Sequence, residues 1–367
     1  MESARLRQQQ HSESVDSGYL KNAILRSGGQ GQQIGCAQWT GLRAPPHDHA
    51  RTQGPERRQI KFWNEAGIAY YFSHREAIRA ERAPLTRRLI EKAAATAGER
   101  ALDIGCGFGD VTIELARLVG PNGFALGVDL SAPMLEKAEE SARAAGLRNI
   151  HFANIDAQTH AFQEHAFELL VSQSGVMFFA DAVAAFANLR STLRRDGRII
   201  FACWQWRERS QSIAIPLNVV AQFIDVPPPR PPGTPGQFGF ADPDLIRKIL
   251  DSAGFVEVTV EDMREKLPVG GGLTLDDAAE WFLRVEVPTL LAKAGSAIRS
   301  EIGRTMRNAL RPYQDRIRSS NGVCNMAIRE RRLSPPCEPS IMFGAESSLP
   351  CSDRPGRTVR GHVRPGR

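Results

Sequence analysis

Between residues 99 and 204, short apolar runs alternate with amphipathic stretches, and this alternation constrains the fold more than any other feature of the chain. In order come ALDIG, DVTIELARLVG, FALGVDL, APMLEKAEESARAAG, NIHFANID, FELLVSQS, DAVAAFANLRSTLRRDG and RIIFACW. Continuously apolar runs of this length, bounded by turn residues and separated by helical patterns, belong to strands buried on both faces. The expectation is an α/β fold, a doubly wound and mostly parallel sheet with helices on both faces. Helix ends agree with it. Ser131 stands as an N-cap before Ala132 and Pro133, Gly146 stops the same helix, and Asp242 with Pro243 opens a later one that leads into VEVTVED as a strand.

The formal net charge of +6 invites a nucleic-acid partner, but its distribution does not support one. Residues 59–312 carry 29 Lys+Arg against 31 Asp+Glu, so the basic excess lies in the flanking segments of low complexity. The six cysteines form no C-x-x-C pair and no zinc spacing, and the HDH at 47–49 sits in a polar segment, so no metal is expected. Reduced thiols, the absence of an apolar leader and the absence of a membrane span point to a cytoplasmic protein.

The turn after the first strand reads DIGCGFGD, with Gly105, Gly107 and Gly109 in five positions. At that place in an open α/β sheet the loop faces the crevice where ligands bind. A P-loop is excluded, since no Gly-Lys-Ser/Thr follows. A dinucleotide fingerprint would need glycine or alanine where Asp110 stands, and a carboxylate there opposes a pyrophosphate. S-adenosyl-L-methionine (SAM) has no phosphate and carries a sulfonium and an ammonium, so Asp103 and Asp110 suit it. Asp129 ends the second strand, 20 residues after Gly109, where an acid accepts from ribose hydroxyls. Asp156 closes the third strand and can accept from an adenine amino group. Alone it would equally be a helix cap.

Residues from about 59 to 312, roughly two thirds of the chain, resemble a class I SAM-dependent methyltransferase of the small-molecule group that includes the ubiquinone and menaquinone C-methyltransferases. LDIGCGFGD, GVDLSAPMLEKA, DAQTH, VSQSGVMFFAD and LRRDGRIIFACW carry the resemblance. It implies a Rossmann-like fold in which Asp103 contacts the methionyl amine and Gly105 and Gly107 admit close backbone. Asp129 would hold the ribose, Leu130 and Met134 pack on the adenine, and Asp156 with the Ala157 amide read its edge. Cys106, Gly109 and Ser172 complete the implied cofactor set. The implied activity is methyl transfer to O, C or N of a small molecule. A catalytically idle SAM-binding protein is the alternative. A nucleic-acid methyltransferase is a weaker one, because SQSG stands where an N/D-P-P-Y/F tetrad would be.

The acceptor side is less legible. IKFWNEAGIAYYFSH offers Trp63, Tyr70, Tyr71 and His74 on a helical segment that can cap the crevice, although such aromatics equally serve packing. Candidate bases are His160, Tyr70 and Tyr71, with His74 and His165 behind them. VPPPRPPGTPGQFGF reads as a stiff connector that can form a lid. The expected organisation is a disordered segment at 1–58, a helical cap at 59–98, a SAM-binding core at 99–265, a helical extension at 266–318 and a basic, atypical tail at 319–367. The last sheet strand is in doubt, because apolar content near GVCNMAI collapses into IRERR. Either that stretch makes a short strand or VEVTVED lacks its partner.

Overall fold

A computed structural model describes residues 59–268, 272–286, 288–292, 294–316 and 320–329. The expectations for 1–58 and for 330–367 lie outside the described residues. Seven strands form one sheet in the order β3-β2-β1-β4-β5-β7-β6. They are β1 (Arg100–Ile104), β2 (Phe124–Asp129), β3 (Ile150–Asn154), β4 (Phe167–Gln173), β5 (Leu193–Trp204), β6 (Val258–Leu267) and β7 (Ser320–Arg329). The first five pair in parallel, and β7 runs antiparallel to both β5 and β6.

Two helices precede the sheet, α1 (Gly67–Ser73) and α2 (Arg75–Ala93), and the others are α3 (Asp110–Val119), α4 (Ala132–Ala144), α5 (Ala182–Thr192), α6 (Gln211–Val220), α7 (Pro243–Ser252), α8 (Leu275–Trp281), α9 (Pro288–Leu291) and α10 (Ser296–Leu310). Consecutive residues Ala101, Leu102, Asp103 and Ile104 of β1, and Leu169, Leu170 and Val171 of β4, are buried. Only a sheet covered on both faces buries neighbouring side chains, because successive residues of a strand point to opposite sides.

The doubt over the last strand resolves toward a strand. Residues 320–329 pair from Ile199↔Arg329 to Trp204↔Cys324 on one side and from Val258↔Arg329 to Leu267↔Ser320 on the other. The boundary drawn at 319 is thereby corrected. Backbone pairing on both edges accounts for the polar groups of β6 that would otherwise face nothing.

A second apolar cluster lies beside the main core, where Val219 and Val220 of α6 meet Ala278, Trp281, Phe282, Ile302 and Met306, with Ala77 and Ile78 of α2 against them. The helical extension therefore braces the helix that leads into the first strand.

Candidate functional site

The carboxyl ends of β1, β2, β3, β4 and β5 open on a cavity of about 690 Å³. Gly105 has φ +69°, and a Cβ on it would lie 2.8 Å from Gly175 Cα. Two backbones thus pass side by side at the ends of β1 and β4, and only glycine permits that approach. Gly109 is different. It is buried, and a Cβ there would meet the Phe152 ring at 2.8 Å and Ala138 Cβ at 2.9 Å, so it packs α3 against the sheet.

Asp103 is 1% exposed and its Oδ2 accepts from Thr112 Oγ1 at 2.6 Å. Burial, partly countered by that hydroxyl and reinforced by Asp129, pushes its pKa to about 7. Asp129 is fixed by backbone. Gly107 N donates to Oδ2 at 2.8 Å and Ser131 N to Oδ1 at 2.9 Å. The carboxylate is thereby held in a fixed orientation, with acceptor capacity left for a ligand hydroxyl. Burial raises the Asp129 pKa, against the backbone amides of Ser131, Gly107 and Leu130. Asp156 Oδ1 accepts from Gln158 N at 2.9 Å, and its carbonyl from His160 N at 2.9 Å. Asp156 thus closes a local turn rather than capping a helix, and with Ala157 it forms part of the cavity wall.

The aromatic segment ahead of the sheet forms the roof. Asn64 Nδ2 donates to the Leu130 carbonyl at 2.9 Å, and Ser131 Oγ donates to the Trp63 carbonyl at 2.8 Å. Ser131 therefore spends its hydroxyl on the roof and makes no side-chain cap for α4. The Trp63 ring lies 5.3 Å from Tyr71 and 5.4 Å from Phe178, centroid to centroid.

Of the residues expected at the site, Asp103, Gly105, Cys106, Gly107, Asp129, Leu130, Met134, Asp156, Ala157 and Tyr71 line the cavity. Gly109, Ser172, Tyr70 and His160 do not. Ser172 is fully buried. Its Oγ donates to the Ile104 carbonyl at 2.7 Å and stands 3.2 Å from Gly175 N and 3.3 Å from Val176 N, which makes it a clip between β1 and the loop after β4. Tyr70 packs edge-on against Tyr71 and beside His74. His160 lies edge-on against Phe162, and burial lowers its pKa.

Asp110 lines the cavity but faces Arg79 Nε at 3.1 Å. The charge expected to repel a pyrophosphate is therefore offset by α2. Lining residues missed in the sequence include Thr86, Gln173, Trp204 and Gln237. Strand alternation could have found Gln173, since residues 172 and 173 must point to opposite faces of β4.

Fold and site together define a doubly wound α/β protein with a ligand crevice at the strand ends. Residues 95–228 match the family model described as a methyltransferase domain, which bears out the resemblance to class I SAM-dependent small-molecule methyltransferases. The chain is 40% identical over 118 residues to aklanonic acid methyltransferase DauC of Streptomyces sp. (strain C5), covering 32% of this chain and 54% of that protein. It is 28% identical over 195 residues to nocamycin O-methyltransferase of Saccharothrix syringae, covering 50% and 70%. It is 30% identical over 114 residues to demethylmenaquinone methyltransferase of Staphylococcus aureus (strain JH9), covering 31% and 46%. The chain thus spans about half the length of the first and third of these relatives.

Proposed function

We propose that this chain is a SAM-dependent methyltransferase acting on a small-molecule acceptor, at an oxygen, carbon or nitrogen. One observation carries the reading: Asp103 and Asp129, at the ends of adjacent strands, flank a glycine loop whose own Gly107 amide orients the second carboxylate. The donor set fits the ligand. A buried carboxyl suits an ammonium, an oriented carboxylate suits a ribose diol, and the close pass of Gly105 by Gly175 leaves no side chain in the way. Met134 and Leu130 supply apolar contact for the base, with Asp156 and the Ala157 amide at its edge. The methyltransferase-domain match over residues 95–228 supports the same reading.

When bound, SAM supplies a methyl group activated by a positively charged sulfur. The residues of the chain bind, orient and exclude water. Trp63, Tyr71 and Phe178 close the crevice, and a ring face there attracts a sulfonium as it does an ammonium. Holding donor and acceptor in contact supplies much of the rate in an in-line displacement. Neither His160 nor Tyr70 lines the cavity, so Tyr71 is the remaining side chain of the three proposed as base. We place the enzyme in the cytoplasm, a reducing compartment in which Cys106 and Cys203 remain thiols. Among the described residues no helix is long and apolar enough to cross a membrane.

Incubation with methyl-labelled SAM and a panel of phenols, quinols, carboxylates and amines tests the proposal. Transfer of label to at least one acceptor is expected. SAM binding with no transfer across the panel would favour the idle binder.

A further inference from the structure

We infer that Gln173 and Trp204 set the specificity of the acceptor side, and that their side-chain N–H groups together receive a carbonyl oxygen of the acceptor. This rests on the methyltransferase reading above and names the acceptor chemistry for it.

Strand order places the two residues. Along the cavity β2, β1, β4 and β5 stand side by side. Asp129 ends β2 and Asp103 lies one residue short of the end of β1, so the carboxylates assigned to the cofactor occupy one side. Gln173 ends β4 and Trp204 ends β5, on the other side. Neighbouring strands are about 4.8 Å apart, which puts β5 about 10 Å from β1. Gln173 is the register partner of Ala202, and such partners point to the same face of the sheet. Trp204 comes two residues after Ala202, so it leaves the sheet on the face of Gln173, with the two Cα atoms about 8 Å apart.

Both side chains line the cavity with an N–H that nothing in the protein takes up. Trp204 is 6% exposed, and an indole N–H buried to this extent usually has a partner. Among the described residues this one has none. Gln173 is half-buried, and its Oε1 accepts from Thr86 Oγ1 at 2.9 Å. The single proton of Thr86 takes the nearer of two acceptors, the other being the Arg82 backbone carbonyl at 3.3 Å. That bond turns the carboxamide oxygen toward α2. The NH2 group, without a partner among the described residues, is left for a ligand.

What the pair selects follows from its chemistry. Both groups donate, so the matching atom must bring lone pairs and no proton of its own. A carbonyl oxygen has two lone pairs and can take both N–H groups, whereas an ammonium has none. Trp63, Tyr71, Phe178 and Trp204 line the same cavity and offer ring faces to a flat, conjugated acceptor. Two N–H groups on a conjugated carbonyl oxygen also stabilise the anion that an acceptor forms on losing its proton to water, as an oxyanion hole does.

Calorimetry on the full chain saturated with S-adenosylhomocysteine tests this with 2-acetonaphthone and 2-isopropenylnaphthalene, a ketone and the alkene of the same shape in which CH2 replaces the oxygen. The ketone is expected to bind at least about tenfold tighter, because the alkene leaves both donors buried and unpaired. Trp204→Phe and Gln173→Met should each bring the ratio to within about threefold. Since the ratio compares two ligands of one shape, loss of packing alone would leave it unmoved. Thr86→Val should lower the ratio and Thr86→Ser should keep it, as the hydroxyl orients the carboxamide. Equal binding of ketone and alkene, binding of neither, or a ratio untouched in Trp204→Phe, Gln173→Met or Thr86→Val would overturn the inference. Equal binding with S-adenosylhomocysteine bound is also the result expected if the cofactor itself used these donors. The affinity for S-adenosylhomocysteine on the same preparations reports separately on the methyltransferase reading.

Discussion

On the proposed function, with Asp103 facing the ligand ammonium, SAM binding should depend on pH in a direction and size that follow from the burial of this carboxyl. With a pKa of about 7 in the free protein, the group is half-protonated at neutrality and neutral below it. A ligand ammonium beside it favours the carboxylate, so binding below pH 7 must first expel a proton. Affinity should be flat above pH 7 and fall about tenfold for each unit below it, roughly 25-fold between pH 7.5 and 5.5, or about 2 kcal/mol. Asp103→Asn keeps an oxygen for the Thr112 hydroxyl but cannot ionise. Its affinity should therefore be weak and nearly independent of pH.

Stability moves the other way. The folded pKa lies above the value of 3.8 in an open chain, so the folded state holds the extra proton between these values and loses stability as pH rises from about 4 to 7. Above pH 7 the full penalty is present, on the order of 4 kcal/mol, and Asp103→Asn should melt higher than wild type there. Calorimetric titration and thermal melting across pH 5 to 8.5 read both effects. A pH-independent wild-type affinity, or an Asn variant that binds as tightly as wild type at pH 7.5, would refute the assignment of Asp103 to the ammonium.

Gly105→Ala places a methyl 2.8 Å from the Gly175 backbone at φ +69°, so both Tm and SAM affinity should drop, the latter by at least about tenfold in calorimetry. Tyr71→Ala should lower turnover by about tenfold or more with a smaller loss of SAM affinity, because it lines the cavity, whereas Tyr70→Ala should lower Tm with turnover per folded molecule kept. Ser172→Ala leaves the buried Ile104 carbonyl without its hydroxyl donor and should cost about 1–3 kcal/mol in denaturant unfolding; a loss of affinity with unchanged stability would return this serine to the cofactor set.

The sheet core and the turns that line the cavity at the ends of β1, β2 and β3 were legible because they depend on local pattern. Runs such as LDIG and GVDL state the strand, the turn and the acid at its end within a few residues. The opposite wall of the cavity depends on partners far apart in sequence. Thr86 meets Gln173 across 87 positions, and nothing in either neighbourhood announces the other. Tyr70 and Tyr71 looked alike as neighbours on a helix, yet adjacent helical residues point about 100° apart, so one enters the cavity and the other packs behind it. β7 was hard to read because its place is set by backbone pairing with β5 and β6 on both sides. The Asp110 carboxyl was visible in the sequence but its neighbour was not, since Arg79 reaches it from another helix.

That neighbour also makes ligand choice the most direct test of the central claim. The same preparation should be titrated by calorimetry with SAM, S-adenosylhomocysteine and NADH at pH 7.5, with Asp129→Asn alongside. Asp129 should contribute charge-assisted hydrogen bonds to the ribose, each about 1.5–3 kcal/mol at most, so the variant should weaken SAM by well over about tenfold. SAM and its demethylated product should bind at one site per chain, and NADH should bind more weakly, because Asp110 rather than glycine or alanine stands where a pyrophosphate would approach the start of α3. Binding of NADH as tight as that of SAM, or SAM affinity unchanged in Asp129→Asn, would contradict the account.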